Sequence, residues 1–158
     1  MKIQKTNAAR LLDRDKIKYD LVPYEVDESD LAVEHVAEQL GQDLSQVFKT
    51  LVLKGDKTGY LVCVIPGGHE VDLKKIAKVS GNKSAEMIPV KDLQAVTGYI
   101  RGGCSPVGMK KQYPVYLHFT AKDYPFIYIS AGVRGLQLKI DANDLIRVTK
   151  GDFADLTD

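Results

Sequence analysis

Residues 48–65 read FKTLVLKGDKTGYLVCVI, two apolar runs joined by the short link GDKTG. Strand-forming residues on both sides of a link that contains glycine predict a β-hairpin. Further strand-like and helix-like segments surround it in an irregular order, without βαβ alternation. The sequence therefore predicts an α+β fold with a mixed or barrel-like sheet, and disfavours a doubly wound fold.

The elements around the hairpin follow from hydrophobic periodicity and from capping residues. Helices are predicted over 7–15 with Thr6 as N-cap, from Ser29 or Asp30 to Gly41, from Asp72 to Gly81 with Leu73, Ile76 and Ala77 facing inward, from Pro89 onward, and after Asp141. Further strands are predicted over 19–26, 85–88, 115–119, 126–130 and 136–140, and residues 99–111 are expected to form a glycine-rich loop.

Composition places the chain among ordinary globular proteins. It has 158 residues, of which 44% are hydrophobic and 27% charged, so we expect one domain over residues 1–158. No apolar run approaches the roughly 18 residues of a membrane span, and the first residues do not resemble a secretion signal. We therefore expect a cytoplasmic protein with no membrane partner. The net charge of +1 is lower than is usual for a dedicated nucleic-acid binder, so any RNA contact must be fairly weak and rest on local basic patches. No DNA partner is expected.

Familiar catalytic and cofactor motifs are incomplete. Gly103 and Gly108 have the spacing of a phosphate-binding loop, but Met109 stands where that loop needs lysine. The two cysteines are far apart, and the three histidines have no clustered partners, so neither a metal site nor any other cofactor is expected. His118, within an apolar run, is expected to be structural. Either the protein is not an enzyme, or its chemistry needs no protein nucleophile.

Three segments in order carry a family resemblance: FKTLV at 48–52, GYIRGGCSPVG at 98–108 and YISAGVRG at 128–135. Together they resemble the YbaK/EbsC group of the prolyl-tRNA synthetase editing-domain superfamily, over nearly the whole chain. The resemblance implies a single domain with a curved, mixed β-sheet or barrel surrounded by helices. It also implies an aminoacyl-tRNA deacylase that removes cysteine from proline tRNA in trans, beside prolyl-tRNA synthetase.

The same resemblance implies site residues, carried over position by position. Lys49 matches the functional lysine and is the expected catalytic group. The expected substrate-binding residues are Tyr24, Thr50, Gly102, Gly103, Ser130 and Gly132. The chain departs from the common pattern at Cys104, Ala131, Val133 and Gln137, which bears on substrate preference more than on the reaction.

Basic side chains supply a possible path for the RNA backbone. They are Lys74, Lys75, Lys78, Arg101, Lys110 and Lys111. A solvated polar face is the competing interpretation. Two rival functions also stay open: release of alanine instead of cysteine, and a non-catalytic module that binds RNA or a nucleotide.

Overall fold

The computed structural model of the protein describes residues 4–158. Its five helices are α1 (Asn7–Arg14), α2 (Val33–Leu40), α3 (Leu73–Ser80), α4 (Leu93–Thr97) and α5 (Ala142–Thr149). Its eight strands are β1 (Tyr19–Pro23), β2 (Phe48–Gly55), β3 (Gly59–Pro66), β4 (Ala85–Met87), β5 (Val115–His118), β6 (Ile127–Ser130), β7 (Leu136–Ile140) and β8 (Asp152–Ala154). No helix within this range is long and apolar enough to cross a membrane.

The strands form two sheets. One has three antiparallel strands in the order β1-β7-β6, and the other has five in the order β4-β2-β3-β5-β8. The five-stranded sheet is mixed, because β4, β2 and β3 pair antiparallel whereas β5 pairs parallel to both β3 and β8. The predicted α+β domain with a mixed sheet is confirmed, and over residues 4–158 its strands do not close into a barrel.

The predicted hairpin is the centre of the larger sheet. Val62 and Val64 of β3 belong to the main core, which also contains residues of the smaller sheet, α1 and α5. The alternate residues Leu61, Cys63 and Ile65 belong to a second core with residues of α3. Strand β3 is therefore buried on both faces, which is why its sequence is a continuous apolar run instead of an alternating one. Burial also raises the pKa of the Cys63 thiol to about 12.

Most of the predicted helix caps are confirmed. The side chains of Thr6, Asp72 and Asp141 accept hydrogen bonds from the first-turn N–H groups of α1, α3 and α5. Gly41 and Gly81 end α2 and α3 in the left-handed conformation, which glycine adopts without strain.

Several predicted details are wrong. Helix α2 begins at Val33 after Ala32, because Asp27 and Asp30 cap the preceding turns and not the helix. Leu73 of α3 is exposed, since it lies in the first turn beyond the edge of the second core. Pro89 precedes a short 3₁₀ turn, and α4 starts only at Leu93. Strand β1 ends at Pro23, and β8 was not predicted.

Strand β2 is paired along only part of one edge, and the candidate functional site lies at the unpaired part. Strand β4 pairs only with Leu53, Lys54 and Gly55, so residues 49–51 have no strand partner on this side within the described chain. Val52 accepts a hydrogen bond from the Ile88 N–H here. Because alternate residues of a strand point their peptide groups to one side, the N–H and C=O of Thr50 face the same gap. Strand β6 approaches from the other sheet, where Val47 pairs with Tyr128.

His118 connects β5 to the C-terminal segment, as its predicted structural role requires. Its Nδ1 accepts a hydrogen bond of 3.1 Å from the N–H of Leu156, which is fully buried. Its Nε2 lies 3.4 Å from Thr157 Oγ1. Burial lowers the pKa of His118 below 6.5, although nearby Asp155 opposes the shift.

This contact makes the stability of the fold depend on pH. Because the folded-state pKa of His118 is lowered, protons favour the unfolded chain, and the contribution of the neutral ring is lost as pH falls below 6.5 through the folded-state pKa. We expect urea unfolding at pH 7.5, 6.5 and 5.5 to show a steeper loss of stability in the parent than in His118→Asn, which keeps an acceptor but does not titrate. Equal pH dependence of the two proteins would contradict this assignment.

Candidate active site

A cavity of about 320 Å³ lies along the open edge of β2. Residues 47–52 form one wall, and the segment 87–90 with Leu93 forms another. Residues 31–34 at the start of α2 and the loop residues Arg101, Gly102 and Cys104 also line it. Ser130 and Gln137 reach it from the smaller sheet. The cavity therefore lies where the two sheets meet, at the point where the larger sheet lacks a strand partner.

Lys49 is one of the residues that line this cavity. Its side chain is 25% exposed, and its Nζ lies 3.9 Å from Oε1 of Glu70, whose side chain is 83% exposed. A long ion pair with an exposed carboxylate contributes little, because water competes with it. The ammonium group of Lys49 is therefore not held in a strong ion pair within the described residues.

Two residues of the cavity wall each have a buried side-chain oxygen without a hydrogen-bond partner among the described residues. Gln137 of β7 is directly opposite Ser130 of β6, so the two side chains share a face of the smaller sheet. Gln137 is only 4% exposed. Neither its Oε1 nor the Oγ1 of Thr50 has a hydrogen-bond partner among the described residues. Buried polar atoms without partners are rare, and here both belong to residues that line a cavity able to hold a ligand.

The two glycine-containing segments pack against each other beside the cavity. A Cβ on Gly103 would lie 3.1 Å from the main chain of Val133 and Arg134. A Cβ on Gly132 would lie 3.0 Å from the Tyr99 ring, and the φ of Gly132 is +107°. Larger residues at these two positions would separate the segments, so the glycines set how closely the loops approach.

Arg134 links the loop that contains it to the loops that contain Arg101 and Glu28. Its Nε donates a hydrogen bond of 2.9 Å to the carbonyl oxygen of Arg101, and its Nη1 forms an ion pair with Glu28. Gly102 lies against this guanidinium group and against Leu31, with a positive φ of +83°. Arg134 thus connects three loops and fixes the main chain of Gly102 at the rim of the cavity.

The structure brings five of the thirteen predicted site residues together at the cavity. The predicted residues that line the cavity are Lys49, Thr50, Arg101, Gly102 and Ser130. Gly103 and Gly132 are outside the lining and pack the loops. Tyr24 is also outside it, where it packs in a separate cluster that includes Val36 and Tyr128.

The other predicted basic residues are dispersed. Lys74 and Lys78 are exposed on α3, whereas Lys75 donates hydrogen bonds to Asp155 and to the carbonyl oxygen of Thr157. Lys110 packs along Gly98, and Lys111 lines a different, smaller cavity. A common path for RNA across these residues stays a prediction.

The cavity also has lining residues that sequence reasoning did not assign to it. Met87 and Val90 are exposed apolar side chains at one wall, and nothing in the sequence distinguishes them from other surface residues. Cys104 lines the cavity as well. Burial raises the pKa of its thiol to about 11, against a lowering by Thr97, so near neutral pH it is a thiol and a poor nucleophile. Among residues 4–158, no three His, Cys, Asp or Glu side chains cluster closely enough to hold a metal ion.

Comparison with known proteins agrees with this arrangement. The pattern of the aminoacyl-tRNA editing domain family matches residues 28–148. The chain is 51% identical over 154 residues to EbsC of Enterococcus faecalis, which carries the name of a Cys-tRNA(Pro)/Cys-tRNA(Cys) deacylase, with 98% of this chain and 94% of EbsC covered. It is 28% identical to the protein YwhH of Bacillus subtilis, over 77% of this chain and 76% of YwhH.

A solved structure described as a trans-editing enzyme for prolyl-tRNA synthetase superposes with a TM-score of 0.81 at 23% identity, covering 98% of this chain and 99% of that one. At this identity the likeness concerns the fold. The whole-length similarity to EbsC and the family match lead to one assignment, which confirms the resemblance seen in the sequence: the chain belongs to the aminoacyl-tRNA editing domain family.

Proposed function

We propose that the protein is a trans-editing deacylase that releases cysteine from mischarged proline tRNA, with residues 1–158 acting as one editing domain. The observation that carries this proposal is the 51% identity to EbsC over almost the whole of both chains. The cavity supports it, because it has a volume of about 320 Å³ and is lined by Lys49 and by two residues with an unpaired polar atom, Thr50 and Gln137.

The substrate itself can supply the nucleophile. The sulfur of the cysteinyl group attacks its own ester carbonyl, so that an S–C bond forms and the C–O bond to the ribose breaks. The thiol proton passes to the ribose oxygen, and a cyclic thioester is released and opened by water to free cysteine. A free thiol is about 3% ionised at neutral pH, so holding its sulfur against the carbonyl is the main task of the protein.

Lys49 has the charge that this reaction needs. Negative charge develops on the ester carbonyl oxygen as the sulfur attacks, and a fixed ammonium group stabilises it. The thiol of Cys104 is not required as a nucleophile in this scheme. Proline has no thiol, so a correctly charged tRNA would be spared by its chemistry rather than by the size of the cavity.

The proposed substrate also determines the partners and the location. Mischarged proline tRNA is a product of prolyl-tRNA synthetase, so we infer that this synthetase supplies the substrate and that both act in the cytoplasm. The dispersed basic residues and the net charge of +1 suit weak, salt-sensitive RNA binding. Arg101 is the basic residue of this set at the cavity rim and is the one best placed to contact the acceptor end.

The test measures amino-acid release from proline tRNA charged separately with cysteine, alanine or proline, and from cysteine tRNA charged with cysteine. We expect rapid release of cysteine from proline tRNA and none of proline. Release of alanine alone would identify an alanine-specific deacylase, and RNA binding without release of any amino acid would identify a non-catalytic module. Release of cysteine from both tRNAs would show that the enzyme recognises the amino acid and not the tRNA body.

A further inference from the structure

Tyr99 belongs to one glycine-containing segment and contacts the other, but it is not among the residues that line the cavity. We propose that Tyr99 is a positioning residue for the reaction, which holds the turn at residues 130–132 so that the hydroxyl of Ser130 keeps one place in the cavity wall. This inference rests on the proposed function, because it gives a part in cysteine release to a side chain outside the cavity. Three contacts, which follow one another from Tyr99 to Ser130, carry it.

The first contact fixes the ring of Tyr99. Its hydroxyl donates a hydrogen bond to the carbonyl oxygen of Val107, and its N–H donates one of 3.0 Å to Oγ1 of Thr97. The residue is therefore held at its main chain and at the far end of its ring. Burial raises the pKa of Tyr99 to about 12, so the hydroxyl keeps its proton near neutral pH and remains a donor.

The second and third contacts connect this ring to the cavity. A Cβ on Gly132 would lie 3.0 Å from Cε1 of Tyr99, so the main chain of Gly132 lies directly against the ring. The N–H of Gly132 in turn donates a hydrogen bond of 3.1 Å to Oγ of Ser130, which lines the cavity. A movement of the ring would let Gly132 shift, and with it the N–H group that orients the Ser130 hydroxyl.

The orientation of this hydroxyl matters because Ser130 is a predicted substrate-binding residue. A hydroxyl can accept and donate at the same time, so an oxygen that accepts from Gly132 keeps its O–H proton for an acceptor of the substrate. A donor already held in place stabilises developing charge better than a mobile one, because it needs no reorganisation during the reaction. Tyr99 thus acts on the reaction through Ser130 and not by touching the ester.

A double-mutant cycle tests this route, with single-turnover release of cysteine from cysteinyl-tRNA(Pro). Tyr99→Leu should lower the rate by about tenfold to 10²-fold, since a displacement of about 1 Å in a site can have this effect. In the Ser130→Ala background the same replacement should lower it by less than about twofold, because the group through which Tyr99 acts is gone. Losses that multiply in the double variant would overturn the inference, and so would a parental rate of Ser130→Ala.

Two tyrosine variants separate positioning from a general loss of stability. Tyr99→Phe keeps the ring, so its rate should recover to within about threefold of the parent. Tyr113→Phe is the matched control, because the hydroxyl of Tyr113 also donates to a main-chain carbonyl, that of Val96, and Tyr113 does not line the active-site cavity. It should lower the melting temperature as Tyr99→Phe does and keep the parental rate. If Tyr99→Leu does not fold, Gly132→Ala disturbs the same contact from the other side and takes its place in the cycle.

Hydrogen exchange separates this inference from the proposed function, because it needs no RNA. The exchange rate of the Gly132 amide reports its bond to Ser130 directly. It should be low in the parent and in Tyr99→Phe, and about fivefold higher in Tyr99→Leu and in Ser130→Ala, the effect of losing one hydrogen bond. Equal exchange in Tyr99→Leu and the parent would overturn the role of Tyr99, whether or not the protein releases cysteine. Absence of cysteine release by the parent would overturn the proposed function and leave this structural result standing.

Discussion

Replacement of Lys49 by alanine is expected to lower the rate of cysteine release by about 10²- to 10³-fold, the usual effect of removing one preorganised donor to a developing oxyanion. Lys49 lines the cavity, and its only ion-pair partner in the described chain is the exposed Glu70, 3.9 Å away. The loss should therefore affect catalysis and leave the fold intact. Single-turnover release from cysteinyl-tRNA(Pro) measures the rate, and urea unfolding measures the stability.

Two variants make this test specific. Lys54→Ala removes a lysine from the same strand, and Lys54 is exposed beside the Tyr60 ring and not in the cavity lining, so its rate should match the parent. Lys49→Arg keeps the charge and should retain more activity than Lys49→Ala. Parental turnover by Lys49→Ala would remove this residue from the active site.

The replacement Gly103→Ala is expected to reduce release by about tenfold to 10²-fold. The added Cβ would meet the main chain of Val133 and Arg134 at 3.1 Å, and main chain cannot rotate away as a side chain can. The two loops must then move apart, which displaces Gly102 at the cavity rim. A displacement of about 1 Å in a catalytic site can cost 10²-fold in rate, so a small shift is sufficient.

Gly41→Ala is the matched control for this effect. The same atom added at Gly41 meets nothing within 4 Å, although the positive φ of +65° makes it unfavourable. We expect Gly41→Ala to lose stability and keep its turnover, and Gly103→Ala to lose turnover. Equal turnover of Gly103→Ala and the parent would show that the packing of the loops does not control the site.

Local sequence signals predicted much of the fold. The hairpin of β2 and β3 and the caps Thr6, Asp72 and Asp141 depend on residues close together in the chain, so periodicity and capping rules identify them. The strand β8 was missed because its three residues, DFA, have no alternation to detect. It exists because β5 offers it a parallel partner, which is a long-range effect.

Only part of the candidate site could be predicted from the sequence. Lys49, Gly102 and Ser130 came from the family resemblance, and residue chemistry alone did not distinguish them from surface and turn residues. Gln137 was singled out only as a departure from the family pattern, because its burial and the unpaired state of its Oε1 in the described structure depend on long-range packing. The same holds for the edge of β2, which is open only because β4 ends at Met87.

The contacts of Arg134 with the loops that contain Arg101 and Glu28 have an evolutionary consequence. A rim fixed by one guanidinium group and by main-chain packing does not depend on which side chains fill the cavity behind it. We therefore expect that residues such as Cys104 or Val90 can be exchanged, and the preferred ligand altered, while the main chain at the rim keeps its position. A rim that stays constant while the cavity side chains vary would let one fold give rise to proofreading enzymes for different errors of translation.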